Sequence, residues 1–173
     1  MEPPIDKKKK RNSVELLIDK PQYNVLFTFN RMGIESLESG DLLIHLGLVN
    51  TAGQLAAFAF VLDWQQCVQS QKEWKDYLER SGGPKEEGDE SFRVNPSLLL
   101  RSFLPTVNFL NWHRTGKSAE IRAFTYSSTD LFLASTKPNE KLPVQPVALL
   151  RCDLELQMQL LFKILKRVTG EQG

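Results

Sequence analysis

Residues 42–62 read LLIHLGLVNTAGQLAAFAFVL. Two apolar stretches, 42–49 and 55–62, flank Asn50-Thr51-Ala52-Gly53. Each is short, apolar and bounded by turn-forming residues, which is the sequence pattern of a strand. A four-residue connection ending in Gly makes the pair a β-hairpin. Ala56, Ala57 and Ala59 are small, so a neighbouring segment is expected to pack closely over the second strand.

Upstream, residues 23–31 alternate. Val25, Phe27 and Phe29 point one way and Asn24, Thr28 and Asn30 the other, giving a half-buried strand. A shorter β-rich stretch, 13–18, ends at Lys20-Pro21. Residues 31–40 set Gly33 and Gly40 around Ile34 and Leu37, which reads as a turn or a single helical turn.

Downstream, Asp63 has the character of an N-cap. Trp64, Val68, Trp74 (or Lys75) and Leu78 recur near helical spacing, predicting one amphipathic helix over 64–80 ended by Gly82-Gly83-Pro84. The acidic, Gly-bearing stretch that follows makes 81–91 a mobile loop and the best nicking site in the body. Asn95-Pro96 starts a short helix over 98–104 that Pro105 stops. Residues 107–114 and 119–126 alternate about the turn Thr115-Gly116-Lys117, a second hairpin. A strand at 131–135 follows, then a rigid connector marked by Pro138, Pro143 and Pro146. From Leu150 to Phe162 every even position is apolar, and from Arg151 to Gln159 every odd one is polar. Successive even residues would sit about 200° apart on a helical wheel. The period therefore predicts a strand to about residue 160, against a composition of good helix formers. Residues 161–168 allow a short terminal helix.

Hairpins outnumber strand–helix–strand crossovers in this reading. The fold class is α+β: a single domain over 13–173, with a mainly antiparallel sheet and two or three helices packed on it. An all-β barrel with peripheral helices is the alternative. The length of 173 residues suits one domain, and 41% hydrophobic with 25% charged residues is globular, which excludes collagen-like, disulfide-dense and wholly disordered chains. The N-terminus lacks the apolar core of a secretory signal. The apolar run at 55–62 is far short of the roughly 20 residues that span a bilayer. The expected setting is intracellular, soluble or peripheral to a membrane.

Charge is uneven. Lys7, Lys8, Lys9, Lys10 and Arg11 against Glu2 and Asp6 give residues 1–11 a net charge of +3, while the rest of the chain carries −2. Adjacent like charges behind Pro3-Pro4, without aromatics, predict a disordered basic arm over 1–12. Three readings of it stand: a solubilising tail, a contact with an anionic membrane or nucleic acid, and a nuclear-import cluster. Arg114, Lys117 and Arg122, near Trp112 and His113, form a candidate second basic patch.

Candidate chemistry is sparse. Thr115-Gly116-Lys117-Ser118 holds the end of a phosphate-binding loop, but Asn111 stands where its first Gly belongs and a strand pattern follows, so it reads as a hairpin turn. His45 lies within an apolar strand and reads as a structural imidazole; His113 ends a strand. Cys67 and Cys152 fit no metal or redox spacing and read as buried thiols, and Glu86, Glu87, Asp89 and Glu90 lack calcium-loop spacing. Trp64, Trp74, Trp112 and Phe124 read as packing groups. No catalytic residue, metal site or cofactor is expected.

The basic arm at Lys7 to Arg11, the chain size and the strand at 23–31 before one α+β body together resemble the small matrix proteins of rhabdovirus-type viruses. Pro3-Pro4 is followed by Ile5-Asp6, so the Pro-Pro-x-Tyr budding motif common in that family is absent. The resemblance implies a non-enzymatic structural protein of the virion. It would self-associate, condense nucleocapsids and meet a host membrane or nucleoprotein through its arm. A nucleic-acid-binding or movement/accessory protein, with RNA as partner, is the alternative expectation, and an enzyme with an unrecognised site the third.

Overall fold

The computed structural model describes residues 15–17, 23–99, 104–126 and 141–170. The basic arm, the strand expected at 131–135, Pro138 and most of the helix expected at 98–104 lie outside those residues. In chain order the elements are β1 (Glu15–Leu17), β2 (Val25–Thr28), β3 (Arg31–Ser36), β4 (Leu42–Asn50), β5 (Gly53–Leu62), α1 (Trp64–Gln69), α2 (Gln71–Arg80), a 3-10 turn (Pro96–Leu98), β6 (Thr106–Val107), β7 (Phe109–Thr115), β8 (Ser118–Thr125), β9 (Lys141–Pro143), β10 (Gln145–Asp153) and α3 (Leu154–Val168).

The fold is α+β. Among the described residues, two four-stranded sheets, in the orders β3-β4-β5-β6 and β2-β10-β8-β7, carry three helices, and β1 pairs with β9 in a small third sheet. Both expected hairpins form: β4 with β5 and β7 with β8, all antiparallel. Three pairings are parallel, β2 with β10, β5 with β6 and β1 with β9.

The two large sheets are continuous at their edges. Phe29 N–H donates to the Arg151 carbonyl of one sheet at 2.9 Å, and Asn30 N–H donates to the Gly47 carbonyl of the other at 2.8 Å. Likewise Asp63 N–H reaches the Val107 carbonyl while Asn108 N–H reaches that of Phe124. An asparagine side chain carries the ladder onward at each corner. The Asn30 amide both donates to and accepts from the Val49 backbone, and Asn108 Oδ1 accepts from Tyr126 N–H. The order of ribbons therefore closes on itself. Between the sheets lies one core, built from Phe29, Met32, Ile44, Leu46, Phe60 and Leu62 on one side and Leu110, Ile121, Ala148 and Leu150 on the other. The three helices add Cys67, Trp74, Met158, Leu161 and Ile164 to it.

Three expectations are corrected. Residues 31–36 are strand, not turn: Met32 and Ile34 face the core while Gly33, between them, leaves room for a main chain crossing the outer face. The helix expected over 64–80 is two helices broken at Ser70, whose buried hydroxyl accepts from Gln66 Nε2 at 2.6 Å. The strand expected to residue 160 ends at Asp153, where α3 begins. Asp153 caps it by accepting from Leu156 N–H at 2.8 Å. The buried positions are then 157, 158, 160, 161, 164 and 165, a helical stripe. The alternation persisted through the first helical turns only because Gln157, a polar residue, faces inward.

Candidate functional site

β1 pairs in parallel with β9, and β9 leads into β10 of the β2-β10-β8-β7 sheet. The outer face of that sheet is laid out by its register. Leu26, Leu149, Arg122 and Asn111 form one row, and Thr28, Arg151, Glu120 and His113 the next. Directly paired residues share a face. Glu120 bridges two guanidinium groups, Arg122 at 3.2 Å and Arg151 at 3.3 Å. Leu26 is 74% exposed beside Leu149.

This layout splits the trio Arg114, Lys117 and Arg122. Arg122 is on the outer face. Arg114 pairs with buried Ala119 and so lies on the opposite face, toward α2, where its charge opposes the rise that burial causes in the Tyr77 phenol pKa. Lys117 sits in the turn. Trp112 is buried and packs edge-on against Trp74, centroids 5.6 Å apart, so it adds nothing to an exposed platform. Sequence reading missed Arg151. Its odd position in the 150–160 alternation marked it as outward, but only the β10–β8 register brings it to Glu120.

Gly116, with φ of 62°, makes the expected hairpin turn. The Lys117 carbonyl accepts from Leu154 N–H at 2.9 Å, so the turn abuts the start of α3. An open groove of about 610 Å³ lies there, lined in part by Lys85, Lys117, Asp153, Glu155 and Met158. Its carboxylates are engaged. Asp153 caps α3, and Glu155 accepts from the N–H groups of Lys85 and Glu86 and from the Gln159 amide. Burial works against the Glu155 carboxylate, yet these donors hold its pKa below the usual range. The same bonds anchor segment 81–91 to α3, and Arg167 adds a 3.1 Å pair with Glu90.

His45 is fully buried. Its Nε2 lies 2.7 Å from Glu35 Oε1, and its Nδ1 accepts from Val94 N–H at 3.1 Å. Both ring nitrogens are used by protein partners, so this imidazole is a structural tie rather than a base poised for a substrate. His113 is exposed on the outer sheet face. Among the described residues no cluster of His, Cys, Asp and Glu could hold a metal ion, and no helix is long and apolar enough to cross a membrane.

Cys67 and Cys152 are buried free thiols. Burial, with Asp63 and Asp41 nearby, pushes the Cys67 pKa up to about 12. Burial and Asp153 push Cys152 up as well. The thiolate is the reactive form. The native protein should therefore leave an aromatic disulfide reagent unreacted at mildly alkaline pH, and both thiols should react once it is denatured. Rapid stoichiometric labelling of the native chain would contradict this burial.

The chain matches no known protein family, no curated protein and no solved structure.

Proposed function

We propose that this protein is a non-enzymatic assembly protein of the viral-matrix type. It associates with itself and contacts an anionic membrane or nucleoprotein through Lys7, Lys8, Lys9, Lys10 and Arg11. The observation that carries this reading is the concentration of a +3 charge in eleven residues, set against a body of −2. The described body adds support: the outer face of the β2-β10-β8-β7 sheet shows Arg122, Arg151 and Leu26. Cations with an exposed leucine suit a surface that is charged and partly apolar.

At about 1 kcal/mol per basic residue near an anionic bilayer, removing a net +3 should weaken binding by about 3 kcal/mol, roughly 100-fold. Flotation with anionic and neutral vesicles, for the intact chain and one lacking residues 1–12, measures this. The intact chain should float only with anionic lipid and the shortened chain should stay at the bottom. Equal flotation of both would refute the arm's role. Sedimentation equilibrium tests the self-association: a strict monomer at all concentrations would remove it.

A nucleic-acid-binding role is the second reading, favoured by Arg122, Arg151, Asn111 and His113 sharing one sheet face. It requires salt-dependent binding to single-stranded RNA that survives deletion of the arm and falls when Arg151 and Arg122 are replaced.

A further inference from the structure

Beyond the Glu155 anchor, the chain crosses the outer face of β3, β4 and β5. Ser91 bridges to Gly33, and Ile34 N–H donates to the Glu90 carbonyl at 3.3 Å. The approach is very close. A Cβ on Gly33 would fall on the Phe92 carbonyl, and one on Gly47 would fall on the Phe92 ring. Phe92, Val94 and Leu99 cover Leu43, Ala57, Ala59 and Val61. Segment 90–94 is thus a strap over an apolar sheet face.

One bonded chain fixes it. Val94 N–H donates to His45 Nδ1, His45 Nε2 meets Glu35 Oε1, and the same oxygen lies 3.1 Å from Arg93 Nε. Arg93 Nη2 also donates to the Ile34 carbonyl at 3.2 Å. Because Nδ1 accepts from a backbone donor, the ring is neutral with its proton on Nε2. A second proton has one place to go, Nδ1, where it would point at the Val94 N–H.

We propose that this strap is a pH-released cover: a proton taken up from solvent turns His45 Nδ1 from acceptor to donor, breaks its bond to Val94, and detaches the strap from the apolar face of β4 and β5. Among the described residues the charged groups facing the ring are Glu35 from β3 and Arg93 from the strap itself; Ala59, its partner on β5, carries none. Glu90 and Arg167 form a further pair at the strap's edge. Burial lowers the His45 pKa, Glu35 opposes it, Arg93 adds to it, and the net direction is down. A folded-state pKa below the unfolded value of about 6.5 means that the strapped state is at full stability above that pH, and weakens as pH falls through the lowered value.

Amide hydrogen exchange of the full chain, corrected for intrinsic rates and followed from neutral to mildly acidic pH, tests this. Protection of residues 90–95 should fall while that of β8 and β10 persists. In His45→Asn, whose side-chain carbonyl can still accept from Val94 but cannot take up a proton, the strap should stay protected across the range. In Glu35→Gln, release should move to lower pH, because a group favouring the imidazolium is gone. If titration of Glu35 were the trigger instead, that variant would already be released at neutral pH. Strap protection that ignores pH, that falls together with the core, or that keeps its pH dependence in His45→Asn would overturn the proposal.

Discussion

Gly33→Ala should cost about 4 kcal/mol of folding stability, a large part of the roughly 5–15 kcal/mol that holds a domain of this kind together. The added methyl would overlap the Phe92 carbonyl oxygen and the Arg93 guanidinium. The first of these is main chain and cannot step aside by changing rotamer. Overpacking alone costs about 1–3 kcal/mol. Displacing the strap also removes the Ile34–Glu90 backbone bond and the Val94–His45 bond, each worth about 1 kcal/mol. Gly40→Ala is the control. Gly40 has φ of 96° with nothing near its would-be Cβ, so only backbone strain of about 1–2 kcal/mol applies. Urea unfolding of both variants measures the difference, and a Gly33→Ala protein no less stable than Gly40→Ala would show that the strap does not press on β3.

Gln157→Leu should destabilise by about 2–3 kcal/mol. Gln157 is fully buried in α3 and its amide serves three partners. Nε2 donates to the carbonyls of His113 at 3.0 Å and Glu120 at 2.9 Å, which face each other across β7 and β8, and Oε1 accepts from the Tyr77 hydroxyl at 2.8 Å. Leucine fills similar volume but removes all three bonds, each worth about 0.5–1.5 kcal/mol, while the two carbonyls keep their ladder bonds between the paired strands. The apolar side chain recovers part of that loss. Tyr77→Phe removes one bond, leaves the two carbonyls satisfied, and should cost about 1 kcal/mol. If denaturant midpoints place Gln157→Leu within about 0.5 kcal/mol of the parent, the range in which ordinary surface substitutions fall, the amide is not the tie between helix and hairpin inferred from these distances.

The same glutamine explains where the sequence misleads. At Gln157 the period-two pattern and the helix stripe make opposite assignments, and a buried, fully bonded polar side chain breaks the rule that polar residues face water. The local cues pointed to the helix: Asp153 as N-cap, Glu155 in the first turn, Lys166 and Arg167 in the last. Hairpins were legible because strand and turn chemistry are local, as at 42–62 and at Gly116. Gly33 was not, since its reason is Phe92, a residue far along the chain. The outer-face grouping of Glu120, Arg122 and Arg151 was hidden for the same reason. Two of its members lie within three residues of each other, but the third arrives only through strand register. His45 was legible as structural from its apolar setting, whereas its partners Glu35 and Val94 were not. The split at Ser70 was hidden because Val68 was counted on the apolar stripe: it is 48% exposed, and Cys67 of α1 enters the core with Trp74 and Leu78 of α2.

The closed order of ribbons bears on how the chain comes into being. β10 lies between β2 and β8, so residues near the beginning must wait for a segment near the end before they gain a neighbour. During synthesis the hairpins can form early, but the ring stays unfinished and β2, an uncharged and strand-prone segment, is left without its ladder. Pairing across so long a stretch is slow, and an incomplete sheet is prone to aggregate. Truncation before Gln145 should therefore yield an insoluble product rather than a smaller folded domain, and the nascent chain is a natural client for a holding chaperone until its last helix emerges.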